Sequence, residues 1–293
     1  MSLDDAEGLL LFESTALGDA YGYVATVPAD APEGPRQMTE LQCERVDFRT
    51  ARGLCLRANR GAETTYEAVV FDERLAEVHR VPLAGPPSRT RVSPDGTLGA
   101  ATVFVTGHAY KNSGFSTETI LIDLAERRVI AAIETDFTVL REGEVWKEED
   151  FNFWGVTFVD DNEFYATLGT GGVSYLVLGD LEGRELVLLE RGVECPSLSP
   201  DGGRLAYKRP VETGEVSRFQ LEVLDLETRA VTVLGETRSV DDQAAWFDNN
   251  TIMYGLPDPD SPAVTDTWTV PADGSGDPTL ILSGAWSTNL VDR

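Results

Sequence analysis

The chain has 293 residues, 42% of them hydrophobic, and a formal net charge of −26. That length and apolar content support a sizeable core, and the acidity opposes nucleic acid and anionic lipid, both of which need a basic footprint. No run of 18 apolar residues occurs, so no membrane-spanning segment is expected in this chain, and three cysteines without a C-x-x-C spacing, beside only His79 and His108, give no zinc-ligand pattern.

In chain order, Met1–Gly8 has neither the basic region nor the apolar stretch of a signal peptide. It fits a native cytoplasmic start, or a start left where an upstream segment was removed. Leu9–Ser14, Tyr21–Val27 and Arg36–Leu41 read as three strands. Arg45–Phe48 and Gly53–Leu56 then read as a hairpin, with Cys43 and Cys55 flanking it. The two thiols stand about one residue out of direct opposition, so a disulfide would need a bulge; the alternative is two small buried apolar residues. Cys195 is left over as a free buried thiol.

Val92-Ser93-Pro94-Asp95-Gly96-Thr97-Leu98 is answered by Leu198-Ser199-Pro200-Asp201-Gly202-Gly203-Arg204-Leu205. Each is a tight turn between apolar runs: proline presets one backbone angle, aspartate bonds its own backbone, and glycine takes the positive φ. Asp160-Asp161-Asn162 and Asp248-Asn249-Asn250 occupy the same place in two further units. The turns recur at about 40 to 48 residues, the size of a four-stranded propeller blade, with one longer interval between Asp95 and Asp161. The second half of the unit repeats too, as Ile120–Leu124, Tyr175–Leu181 and Leu221–Leu226, each followed by a polar turn and another β-rich run.

The first unit lacks its first strand, and Ala285–Leu290 fits that slot. The expectation is an all-β, six-bladed β-propeller of four-stranded antiparallel blades, closed by the C-terminal strand joining the N-terminal blade. As a single domain over 1–293, its blades fall at about 9–41 plus 285–290, 43–83, 88–134, 153–190, 193–235 and 241–283.

Ser-Pro-Asp-Gly, then Leu205-Ala206-Tyr207, then Val223-Leu224-Asp225-Leu226, resembles the repeat of TolB-like β-propellers. The resemblance spans nearly the whole chain and is specific for fold rather than activity. The stretches Asn152–Phe158 and Phe164–Leu168 look like exported TolB-like proteins of actinobacteria, whose role is not established. It implies an extracytoplasmic binding module, secreted or anchored through an upstream segment, with a cytoplasmic protein as the alternative. The additional N-terminal α/β domain of TolB has no counterpart here, so a role in a Tol system is not implied.

Catalytic patterns are sparse. There is no Gly-x-Ser-x-Gly elbow, and His79 lies in an outer-strand segment. Starts of first strands, including Ser88, Trp154, Glu194 and Asp242 with Asp241 and Gln243 nearby, point at the channel. Such carboxylates can hold a hard cation, but Trp154, Arg89 and Arg91 oppose that, and neither metal nor cofactor is expected. Two long insertions break the period: Gly107–Phe115, and the connector Glu134–Phe153. Both emerge on one rim and are expected to bring His108, Tyr110, Lys111, Trp146, Phe151 and Trp154 together as a surface for a protein or small-molecule ligand. The alternative packing role for these aromatics is to pin the insertions onto the propeller. A non-catalytic binding or scaffold protein is the leading reading; a propeller enzyme, a metal-assisted hydrolase or lyase acting at the channel mouth, is the rival.

Overall fold

A computed structural model describes residue 3 and residues 8–105, 116–212 and 218–291. Six sheets, each with a four-stranded antiparallel blade, stand around an axis. The innermost strands are Ala285–Val291, Arg45–Arg49, Pro87–Val92, Asn152–Phe158, Glu194–Leu198 and Ala245–Asp248. Each touches the next around the ring, and the last touches the first. The first blade takes its innermost strand from the C-terminus. Ala285–Val291 pairs antiparallel with Leu9–Ser14, with Leu9 opposite Val291 and Ser14 opposite Ala285. Closure buries Leu10, Leu11, Phe12, Ala285 and Val291, and it removes the free sheet edge that an open ring would expose.

The repeated turn is built as its chemistry demands. Asp95 Oδ1 accepts bonds from Ser93 Oγ (2.6 Å) and the Thr97 N–H (3.0 Å), while Ser93 Oγ accepts the Leu98 N–H at 2.8 Å. Asp201 and Ser199 repeat the set at 2.6, 3.0 and 3.0 Å. Gly96 and Gly202 sit at φ 73° and 72°, the left-handed region that glycine enters without steric cost. The Ser and Asp side chains of the motif are spent on the turn itself, while Pro94 O accepts from Thr50 Oγ1 and the Asp201 N–H donates to Asn249 Oδ1 in neighbouring blades, so Ser-Pro-Asp-Gly is a structural device. It lies at the end of each blade opposite the starts of the innermost strands.

Five sheets have four strands, and the fourth has six. The connector expected as a rim loop instead forms a short helix, Ile133–Asp136, and a hairpin of Thr138–Arg141 and Glu144–Trp146. The hairpin adds to the outer edge of the blade, Thr138–Arg141 running parallel to Glu185–Arg191. Thr138-Val139-Leu140 and Val145-Trp146 are β-rich, and Glu142 and Gly143 both take positive φ (55° and 84°), the geometry of a tight two-residue hairpin turn.

The innermost strands are kinked near their starts. Register shifts fall between Trp154 and Thr157, Glu194 and Ser197, and Leu11 and Glu13 opposite Ser287. Gly155, Cys195 and Ser287 carry the positive φ values at these bulges. A bulge twists its strand and re-aims the side chain beside it, here Trp154, Glu194 and Trp286.

Candidate functional site

The ends of the blades that carry the strand-one starts also carry the connectors and the loops between second and third strands. On this face a cleft of about 820 Å³ opens over the axis. Its floor comes from four separated stretches: Glu13 at the end of the Leu9–Ser14 strand, Arg45 at the start of its own, Asp242 just before the sixth blade, and Trp286 on the closing strand. Its lip is less polar, with Tyr21, Pro257, Pro262 and Ala263. The Tyr21 hydroxyl donates to Ala263 O at 3.3 Å, tying the first blade to the sixth.

Arg45 is the centre of the floor. Its guanidinium lies 3.6 Å from the Trp286 ring centroid, within cation–π range. Nε donates to Ser88 O and Nη1 to Glu44 O, both at 2.7 Å. Burial pulls its pKa down to about 10, with Arg89 adding repulsion and Asp242, Glu13 and Glu44 opposing. Glu13 is 5% exposed, and its Oε2 has no hydrogen-bond partner among the described residues. Burial pushes its pKa up to about 8, a rise that Arg45 limits and Glu44 reinforces. Asp242 Oδ2 accepts the Gly255 N–H at 2.9 Å. Gly255 has no side chain because a Cβ there would stand 2.6 Å from Trp286 Cδ1.

Beside the cleft a second charged cluster is paired by charge, with Arg89 Nε left without a hydrogen-bond partner among the described residues. Lys208 is 4% exposed, bonds the Asp241 carboxylate, lies 3.7 Å from Glu194 Oε2 and sits 4.2 Å from the Phe219 ring centroid. Arg89 Nη2 is 3.5 Å from Asp241 Oδ1. Below the cleft the axis is plugged. Gln243 Nε2 donates to Val156 O and Pro196 O, at 3.0 and 3.1 Å, bridging the fourth and fifth blades, and Arg91 Nη2 donates to Ala244 O at 3.0 Å. The void left there is about 30 Å³. The cleft is therefore a blind pocket.

The expected aromatic cluster divides. Trp146 meets Phe151 edge-on at 5.1 Å and Tyr175 at 5.8 Å, and Phe151 meets Phe153 at 6.2 Å. These rings pack the added hairpin against the core of the fourth blade. Trp154 lies on the other face of its strand, its ring against Gly169, so it does not join them; alternation along a strand sends neighbours 153 and 154 to opposite sides. His108, Tyr110 and Lys111 lie outside the described residues. Of the strand starts expected at the channel, Asp242 lines the cleft, while Ser88 lends its carbonyl to Arg45 and Glu194 lies beside Lys208. Glu13, Arg45 and Trp286 were not expected there. Glu13 carried a usable signal: one carboxylate at the end of the apolar run Leu9-Leu10-Leu11-Phe12.

Cys43 and Cys55 are joined as a disulfide, with Cα atoms 5.4 Å apart. The strand register pairs Cys55 with Val46, so Cys43 is further out of opposition than one residue. The chain turns between the first two blades, where the Cys43 N–H donates to Gly22 O and the Glu44 N–H to Leu56 O, and that turn brings the sulfurs together. Cys195 is free and buried. Among the described residues no group of three His, Cys, Asp or Glu side chains is placed to hold a metal ion, and no helix is long and apolar enough to cross a membrane.

These features define a closed six-bladed β-propeller with a blind, charged cleft over its plugged axis. No protein-family model matches the chain, and no curated protein matches it in sequence. Solved structures match in shape. TolB from Acinetobacter baumannii superposes with a TM-score of 0.63 at 15% identity, over 98% of this chain and 67% of that one. A putative TolB from Agrobacterium tumefaciens gives 0.54 at 14% identity, over 95% and 90%. A puromycin-hydrolyzing peptidase of Mycobacterium tuberculosis gives 0.47 at 16% identity, over 97% of this chain and 55% of its own length. The TolB likenesses show the propeller fold.

Proposed function

We propose that this protein is a non-catalytic binding module that works outside the cytoplasm and takes its ligand, a small molecule or a protein segment, into the cleft over the axis. The observation that carries this reading is the cleft itself. It is concave, about 820 Å³, and closed below, which is the size and form of a ligand pocket. Its lip is apolar and its floor carries a few fixed charges, so one part supplies contact area and the other orientation. The bond between Cys43 and Cys55 supports an oxidising compartment.

The hairpin bearing Trp146 and the Phe151 segment are read as scaffold, because their rings are turned into the fourth blade. A melting-shift screen with small polar compounds and short peptides tests the reading, run in parallel on the wild type and on Ala58→Trp, which fills the cleft wall. Hits should lose their shift in the variant while its own melting stays cooperative. Hits that persist unchanged, or that map by NMR to the face of the Ser-Pro-Asp-Gly turns, would overturn it.

A further inference from the structure

The charged groups of the cleft can be paired off one by one. Arg57 is held by Glu67 at 2.7 Å and Glu77 at 2.6 Å. Arg60 is held by Glu44 at 2.7 Å. Arg45 is spent on two backbone carbonyls and the Trp286 face. Asp241 is taken by Lys208 and Arg89. Every cation of the lining thus has its partner within the protein. The charged group left over is an acceptor: the Glu13 carboxyl, 5% exposed on the floor, with Oε2 unpartnered among the described residues. Asp242 stands on the same floor and adds a second carboxylate. A buried acceptor without a donor is destabilising, and ionising it costs more when the cation that faces it, Arg45, is already engaged by two carbonyls and a ring. The floor also carries one unpartnered donor among the described residues, the neutral Trp286 Nε1, but it makes no bond to Glu13; what the Glu13 carboxyl lacks is a donor, and a cationic one serves best.

We propose that the floor of the cleft receives the primary ammonium group of an organic ligand, with Glu13 as its principal acceptor and Asp242 as the second charge. The inference rests on the cleft being the ligand site. An ammonium carries three donors and no acceptor, so it supplies what Glu13 lacks without competing for carbonyls that Arg45 already uses. The acidic surface of the whole chain draws cations toward the mouth.

Protons are coupled to this step. The groups facing Glu13 are Arg45 and Glu44, with Asp242 acting on Arg45 from the sixth-blade side. The empty site favours a protonated Glu13 near neutral pH. Docking an ammonium drives that proton to solvent and leaves an ion pair. Affinity therefore rises as pH climbs from 6 to 8, as long as the ligand amine stays charged.

The test is calorimetric titration of the full chain with triglycine amide, glucosamine and putrescine, each against its N-acetylated form. The three arms separate a peptide N-terminus, an amino sugar and a polyamine as sources of the same group. At least one free amine should bind at pH 8, weaken tenfold or more at pH 6, and lose tenfold or more on acetylation or in Glu13→Gln. Asp242→Asn, which keeps an oxygen for the Gly255 N–H, should weaken it by a smaller factor. Acetylated probes binding as well as free ones, or Glu13→Gln binding as wild type does, would refute the ammonium site. If none of the three amines binds at millimolar concentration the ammonium site is refuted too. A cleft ligand found in the Ala58→Trp screen that carries no amine would sink this inference and leave the binding module standing.

Discussion

Glu13→Gln is the sharpest probe of the floor, because it should stabilise the protein in a pH-dependent way. The carboxyl is 5% exposed and its pKa is raised to about 8 from an ordinary 4.5, chiefly by burial. The folded state holds this proton more tightly than the unfolded chain does. Between those two pKa values the native form binds more protons, so the stability attributable to Glu13 is complete below pH 4.5 and is lost as pH rises toward 8. Linkage gives a loss of about 4 kcal/mol between pH 5 and pH 9. A neutral, near-isosteric glutamine has no such dependence. Its advantage over wild type should be small at pH 5 and grow to about 4 kcal/mol at pH 9, which is roughly 10 °C in melting temperature for a chain of this size.

Glu134 shifts in the same direction, also to about 8 through burial, but it is present in both proteins and cancels in their difference. Urea melts of both proteins at pH 5, 7 and 9 read the effect directly. A variant whose stability runs parallel to wild type across that range would show that Glu13 is not held in a desolvated, unpaired state. A variant less stable than wild type at pH 9 would show that its charge is an asset rather than a cost.

Other predictions follow from single contacts. Alkylation of unreduced, denatured protein should label Cys195 alone, and Cys43→Ser should cost roughly 3 kcal/mol, as expected for opening a short loop; three labelled thiols would contradict the bond. Gly155→Ala should destabilise by about 2–4 kcal/mol, since φ is 65° and the new Cβ would stand 2.6 Å from Cys195 Cα; an unchanged denaturation midpoint would remove this bulge from the account. Truncation after Gly284 deletes the closing strand and uncovers Leu9–Ser14, so size-exclusion chromatography should show aggregate rather than monomer. Trp146→Ala should cost about 1–3 kcal/mol through lost packing on Phe151 and Tyr175 while leaving binding of any cleft ligand within twofold; loss of binding there would return the aromatic rim to the functional site.

The sequence by itself determined the repeat, the blade number and the ring closure. Each rests on chemistry that is local or periodic: Ser93, Asp95 and Gly96 satisfy one another within six residues, and a strand missing from one end and present at the other has one place to pair. The hairpin of Thr138–Trp146 was legible in the same terms, through Glu142-Gly143 between β-rich runs, but its length outside the period made it read as a loop. The cleft belongs to the tertiary structure alone. Glu13, Arg45, Asp242 and Trp286 are far apart along the chain and meet because four strand ends converge on one axis. Nothing in a local pattern says that Arg45 will spend itself on the Trp286 ring and two carbonyls while Glu13 Oε2 goes without a hydrogen-bond partner among the described residues. Which charge is left over depends on how every neighbour is satisfied, and the folded chain decides that.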